Sequence, residues 1–248
     1  MYLVLCSDTD VSGIWAYENL VTIGLAPLSL VTLESLASAS TWEHRIGLDG
    51  AHLKIELKDG RRFCSSQIRG VLNRTLFASP NQMAAAVEED REYANNEMVA
   101  FYLSWLHTLR GVINRPSPLG LSGSWQHNSQ SSLLASRAGL HTLPYRQSAD
   151  TPMEAGYTSL AATGAPITHH VVLRGNVFSD PSIDPLPQPV ASACIKFAEL
   201  CKTELMGIDL FQSNGGMLTF AGATPHANLI AGGLPLIDAL AECLRSAE

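Results

Sequence analysis

Apolar and polar positions change period repeatedly along the chain. Leu3, Val4, Leu5 and Cys6 form a short continuous apolar run, which predicts a buried strand. Helical spacing follows through Ile14, Tyr17 and Leu20 within residues 12–23, and Gly24 is placed to stop that helix before Pro27. Residues 28–32 predict a second strand. Leu53, Ile55 and Leu57 alternate with Lys54 and Glu56, turn at Asp59 and Gly60, and return through residues 62–64 as a β-hairpin. A further strand over 68–73 ends at Arg74. Strand and helix in alternation predict an open α/β sheet, whose ligands sit beyond the carboxyl ends of its strands.

Helical spacing resumes over residues 81–109. Glu88, Glu89, Asp90, Arg91, Glu92 and Glu97 line its wet side, and Val87, Tyr93, Met98, Phe101, Leu103, Trp105 and Leu106 supply apolar contacts. A strand over 111–114 gives way to a loop holding Pro116 and Pro118, which forbid a continued helix or central strand. Residues 129–138 predict a helix closed by Gly139, and 145–168, poor in large apolar residues, predict an irregular connection. Residues 169–174 and 177–178 predict a hairpin and 180–189 a proline-rich surface loop. A helix over 189–205, paired strands around Asp209 and Phe220, and a final helix over 235–246 complete the chain.

At 248 residues the chain can bury a substantial core as one large domain or two small ones. Hydrophobic residues make 46% and charged residues 16%, with no apolar run long enough for a membrane span. The N-terminus lacks a basic leader, so the expected location is cytoplasmic. Five scattered cysteines without a paired spacing predict buried free thiols, neither a disulfide framework nor a thiolate metal site. A net charge of -7 with thinly spread Lys and Arg excludes a nucleic-acid backbone as partner.

The order of several segments resembles RimK-like ATP-grasp proteins, the group of carboxylate–amine ligases that modify glutamates and peptides. The likeness is carried by Val71–Arg74 closing a leading α/β domain, Val112–Pro116 after a helix, a helix closed by Ala138–Leu140 before Pro144, the pair of strands within Val171–Phe178, and a terminal helix from Gly233 to Ala241. Its last part is the stretch from Gly207 through Asp209 to Pro225. In the family, two adjacent strands there carry an Asp and a Glu-x-Asn that hold magnesium. Asp209 matches the Asp, and the Glu and Asn positions fall on Gly222 and Thr224. The resemblance also implies a phosphate-binding Lys eleven residues before Gly139, where this chain has Asn128. A second such Lys belongs to a nucleotide lid, for which residues 145–168 are too few.

The fold expected from these features is α/β. A pre-ATP-grasp-like open-sheet domain spans 1–118, and a reduced ATP-grasp-like α+β domain without the central nucleotide lid spans 119–248. Phosphoryl transfer depends on cations placed where charge spreads. The expected role is therefore a pseudoenzyme, with no cofactor, no metal and no catalytic residue: a ligand-binding or scaffold subunit for a small anionic ligand or a peptide carboxyl end. The alternative is a carboxylate–amine ligase acting with a partner protein, or the reduced cleft used for another reaction. Arg74 and Arg115 at strand ends suit forked binding of a carboxylate or phosphate, and Asp209, His226 and Asn228 complete the candidate ligand site. A zinc site from His169, His170, His226 and Asp209 is disfavoured because adjacent strand residues point to opposite faces. A homodimer follows from the resemblance alone.

Overall fold

The computed structural model describes residues 1–48, 50–76, 87–146, 165–213 and 216–246. Contacts divide the chain into one unit of Met1–Ser124 with Leu234–Glu248 and another of Trp125–Gly233. The first contains, in chain order, β1 (Tyr2–Cys6), α1 (Val11–Thr22), β2 (Leu28–Thr32), α2 (Leu33–Ala37), β3 (Thr41–Gly47), β4 (Gly50–Glu56), β5 (Arg62–Cys64), β6 (Gly70–Asn73), α3 (Arg91–Thr108) and β7 (Val112–Ile113). The second contains α4 (Asn128–Ala138), β8 (His141–Thr142), β9 (Ile167–Leu173), β10 (Asn176–Ser179), α5 (Gln188–Leu200), β11 (Leu205–Gln212) and β12 (Leu218–Thr224). The last helix is Gly233–Arg245.

In the first unit the apolar run of β1 is buried throughout because it is the inner strand of a parallel sheet ordered β2-β1-β6-β7. Asp10 caps α1 by accepting a hydrogen bond from the Gly13 amide, and Gly24, at φ 80°, follows its C-terminal end as the sequence predicts. A second sheet, ordered β3-β4-β5, is antiparallel. Its Leu53, Ile55 and Phe63 join Leu3, Val71 and Trp105 in one core cluster. β3 has no counterpart in the sequence reading, because it is exposed along most of its length and takes its form from its ladder with β4.

Helix α3 begins at Arg91, after a 3-10 turn at Glu88–Asp90, and residues 81–86 of the expected helix lie outside the described residues. It buries Met98, Phe101, Tyr102, Trp105 and Leu106. Val87 and Tyr93, expected as apolar contacts, are instead 64% and 68% exposed. Tyr93 sits about 140° around the helix from Met98, off the buried stripe.

In the second unit one sheet runs β10-β9-β11-β12-β8, antiparallel except for the short β12–β8 pair. Ala135 and Ala138 of α4 and Cys194, Phe197 and Ala198 of α5 pack with Val172, Met206, Ile208, Leu210 and Phe220 of the sheet. The small residues on both helices let their backbones approach the strands closely. Gly139, at φ 102°, ends α4. Helix α5 stops at Leu200, short of the expected 205, because Lys202 takes φ 53° and Leu205 already belongs to β11. Most of the expected irregular connection over 145–168 lies outside the described residues.

The mixed α/β class agrees with the sequence reading. No helix among the described residues is long and apolar enough to cross a membrane. The five cysteines are free, and burial pushes the Cys6 and Cys194 thiols up to about 12 and Cys201 to about 11, so none of these three is poised as a thiolate.

Candidate functional site

The carboxyl ends of the parallel strands in the first unit are tied together by buried polar groups. The Asn73 amide donates to the carbonyls of Asn114 and Leu121 at 2.8 and 2.7 Å, its side-chain oxygen accepts from the Thr75 amide, and Ser122 Oγ donates to the Asn73 carbonyl. Beside this knot, Arg74 turns its guanidinium toward Asp10, with Nε 2.6 Å and Nη2 3.1 Å from the two carboxylate oxygens. Their side chains are 2% and 6% exposed. The forked recognition expected of Arg74 is thus directed at a carboxylate of the chain itself. Asp10 also stands at the positive N-terminus of α1, the place where a free phosphate would otherwise be favoured.

Gly13 makes this arrangement possible. A Cβ there would lie 2.7 Å from Asp10 Oδ2 and 3.1 Å from Arg74 Nε. Arg115, the second expected anion ligand, is half-buried and donates from Nη1 to the His107 carbonyl and from Nη2 to the Arg110 carbonyl. It therefore closes the C-terminal end of α3, where a cation offsets the partial negative charge of the last carbonyls.

In the second unit the strand register sets out a row across one sheet face. Asp209 of β11 pairs with His169 of β9 on one side and with Gly222 of β12 on the other. His169 Nδ1 lies 2.7 Å from Asp209 Oδ1, donating to the carboxylate, and the two side chains are 52% and 35% exposed. A Cβ built on Gly222 meets no atom within 4 Å. The neighbouring row is Val171, Gly207 and Thr224. Gly207 is required by a close approach: its Cβ would stand 3.0 Å from Ala227 Cα, so the loop after β12 lies against the strand. That loop carries half-buried His226, whose amide donates to Thr224 Oγ1, and exposed Asn228, which opens the 3-10 turn Leu229–Gly232.

His170 faces the other way. It is 1% exposed, with Nε2 2.9 Å from Thr168 Oγ1 and Nδ1 2.6 Å from Ser179 Oγ. Because the Thr168 hydroxyl donates to the Leu210 carbonyl, it accepts from His170 Nε2–H, and Nδ1 then accepts from Ser179. The two adjacent histidines thus have separate partners on opposite faces, and among the described residues no group of three or more His, Cys, Asp or Glu could hold a metal ion.

Burial holds the His170 imidazole below its ordinary pKa; the Asp209 carboxylate opposes this and His169 adds to it. The unfolded chain therefore takes up this proton first, so the stabilisation is present above the unfolded-state value and is lost as pH falls through the folded-state value. Urea midpoints measured between about pH 7.5 and 5 should fall with pH, more steeply than in His170→Gln. His170→Ala, which leaves two hydroxyls and a cavity, should cost about 2–4 kcal/mol in the same assay.

The fold is similar along the whole chain to those of solved ATP-grasp ligases and macrocyclases. Solved structures similar to it along the whole chain include macrocyclase MdnB from Microcystis aeruginosa MRC, at TM-score 0.66 and 14% identity over 98% of this chain and 99% of that one. Macrocyclase MdnC of the same organism, bound with precursor peptide MdnA, has TM-score 0.69 and 11% identity over 99% and 100%. ATP-grasp ligase PsnB complexed with a minimal precursor has TM-score 0.68 and 16% identity over 99% and 98%. No family model matches the sequence, and no curated protein does.

Proposed function

We propose that this chain is a catalytically degenerate ATP-grasp-like protein that binds a peptide or small acid and does not itself ligate with ATP. The observation that carries the reading is the row His169–Asp209–Gly222. The resemblance places a second magnesium carboxylate at 222 and an amide oxygen at 224, where this chain has a glycine beside open space and a threonine. One carboxylate, already bonded to an imidazole, does not fit a magnesium pair, because hard cations need several anionic or strongly dipolar oxygens in a near-octahedral shell. Asn128, exposed at the start of α4, supplies no cation where the resemblance places a lysine. Neutralising a triphosphate is thus left without its usual groups.

Peptide binding is supported by the similar folds solved with precursor peptides. For the ligand we propose the sheet face of Asp209 with His226 and Asn228 on the adjoining loop, while Arg74 and Arg115, held by protein groups, support the framework of the first unit. The alternative, a ligase completed by a partner protein, draws on the whole-length match to structures named macrocyclase and ligase.

Titration calorimetry with Mg-ATP separates the readings. The isolated chain should give no magnesium-dependent heat at nucleotide concentrations up to several millimolar, above the usual range of KM, and should release no phosphate from ATP. Saturable magnesium-dependent binding by the isolated chain would refute the proposal. Binding or turnover only after addition of a partner would establish the alternative.

A further inference from the structure

We infer that the first unit carries a second binding site, a cationic cleft between the end of α3 and the β4–β5 sheet that takes an acidic peptide segment. This site is separate from the Asp209 face and stands whether or not that face binds a ligand.

The cleft consists of two adjoining hollows of about 550 and 350 Å³ that share His52, Ser65 and Ser66. Arg69 and Arg110 line the larger, and Arg45 and Lys54 line the smaller. Among the described residues, Glu43 is the one acidic side chain lining either hollow, and it is bonded to Arg45 at 2.6 Å. Among the described lining residues cations outnumber acids, with Lys54 also acting on the Glu56 carboxylate, in a chain whose net charge is -7. Such clustering inverts the average surface and raises the local concentration of anions. The end of α3 nearby does not cancel it, because Arg115 closes the carbonyls of His107 and Arg110.

The shape selects the ligand. Arg69 and Arg110 belong to one hollow and Arg45 and Lys54 to the other, with His52, Ser65 and Ser66 common to both, so the cations are not gathered in one hollow as in a phosphate cradle. Ala51, Ile68 and Leu109 add apolar lining to the larger hollow, which suits aliphatic stems. The wall is firmly placed: Ser65 Oγ accepts from the Leu53 amide at 2.8 Å, and Gln67 Oε1 accepts from the Cys64 amide at 3.2 Å. The larger hollow alone is of the size that ordinarily holds a drug-sized ligand. An extended segment with acidic side chains separated by a short neutral one meets all these features. Among the described residues no Phe, Tyr or Trp lines the cleft to stack a base, which argues against single-stranded nucleic acid.

The probe is a fluorescein-labelled Glu-Ala-Glu-Ala-Glu peptide, with its Gln-for-Glu counterpart as control, followed by anisotropy with the full chain. The acidic peptide should bind saturably, and its affinity should fall about tenfold between about 20 and 200 mM salt, since exposed ion pairs are screened. The double variant Lys54→Glu with Arg110→Glu should lose at least about tenfold in affinity, and Arg137→Glu, on α4 of the other unit, should lose nothing. If the charge-reversed protein fails to fold by circular dichroism, Lys54→Gln with Arg110→Gln replaces it, with a loss of at least about threefold expected. Equal binding of the Gln peptide, undiminished binding by the folded variant, or complete displacement by inorganic phosphate at peptide-equivalent concentration would each overturn the inference.

Discussion

Replacing Arg74 by alanine is expected to lower the unfolding free energy by about 3–5 kcal/mol, the cost of leaving one partner of a buried ion pair uncompensated. The geometry makes the case. Two nitrogens of the guanidinium meet the two oxygens of Asp10 across 64 residues of chain, with both side chains almost wholly out of water. Without Arg74, Asp10 retains the Gly13 amide but loses its counter-charge. Asp10→Ala should be about as damaging, because it removes the cap of α1 as well. The double variant should be clearly less unstable than the two losses combined, since neither stranded charge remains. Urea denaturation of the four proteins reads all of this. Full additivity, or a loss below about 1 kcal/mol for Arg74→Ala, would show that the pair contributes no more than a surface contact.

Gly222→Glu is expected to create a divalent-cation site beside Asp209. A side chain at 222 enters open space, and in an antiparallel ladder a residue directly opposite Asp209 projects from the same face. Fold stability without metal should change by no more than about 1 kcal/mol, as glycine is the weaker strand former and the new carboxylate is repelled by Asp209. Manganese at about 10 mM should then stabilise the variant by about 2.7 kcal/mol, the linkage expected when the ligand is in roughly hundredfold excess over its dissociation constant. The natural protein should show no shift, and Asp209→Asn added to Gly222→Glu should abolish it. A folded variant that ignores manganese would remove position 222 as the missing ligand of this strand pair. A shift of equal size in the natural protein would contradict the degenerate reading directly.

Elements whose burial is one-sided or complete were legible in the sequence. The apolar run of β1, the alternation of β4 and the glycine ends of α1 and α4 all state a local preference that the fold keeps. β3 was not legible, because a strand exposed on most of its surface owes its form to its partner and carries no apolar period of its own. The end of α5 was obscured by Lys202, a left-handed turn residue that gives no glycine signal. The row through Asp209 could be anticipated from the likeness of the segment, including the place of Gly222. The bond from His169 required the β9–β11 register, forty residues apart in sequence. Arg74 was expected to take a ligand anion in its fork; its bond to Asp10 lies too far along the chain for spacing to reveal. The cleft of Lys54, Arg69 and Arg110 escaped for the same reason, since its cations come from three segments that carry no shared motif.

The last helix belongs with the first unit, and its Leu244 carbonyl lies where a side chain on Gly70 would begin, 3.0 Å from the missing Cβ. The two halves of that unit are therefore made at different times, with residues 125–233 emerging between them. The parallel sheet of the first unit gains its last helix only after those intervening residues are made, a contact of high sequence separation that slows folding.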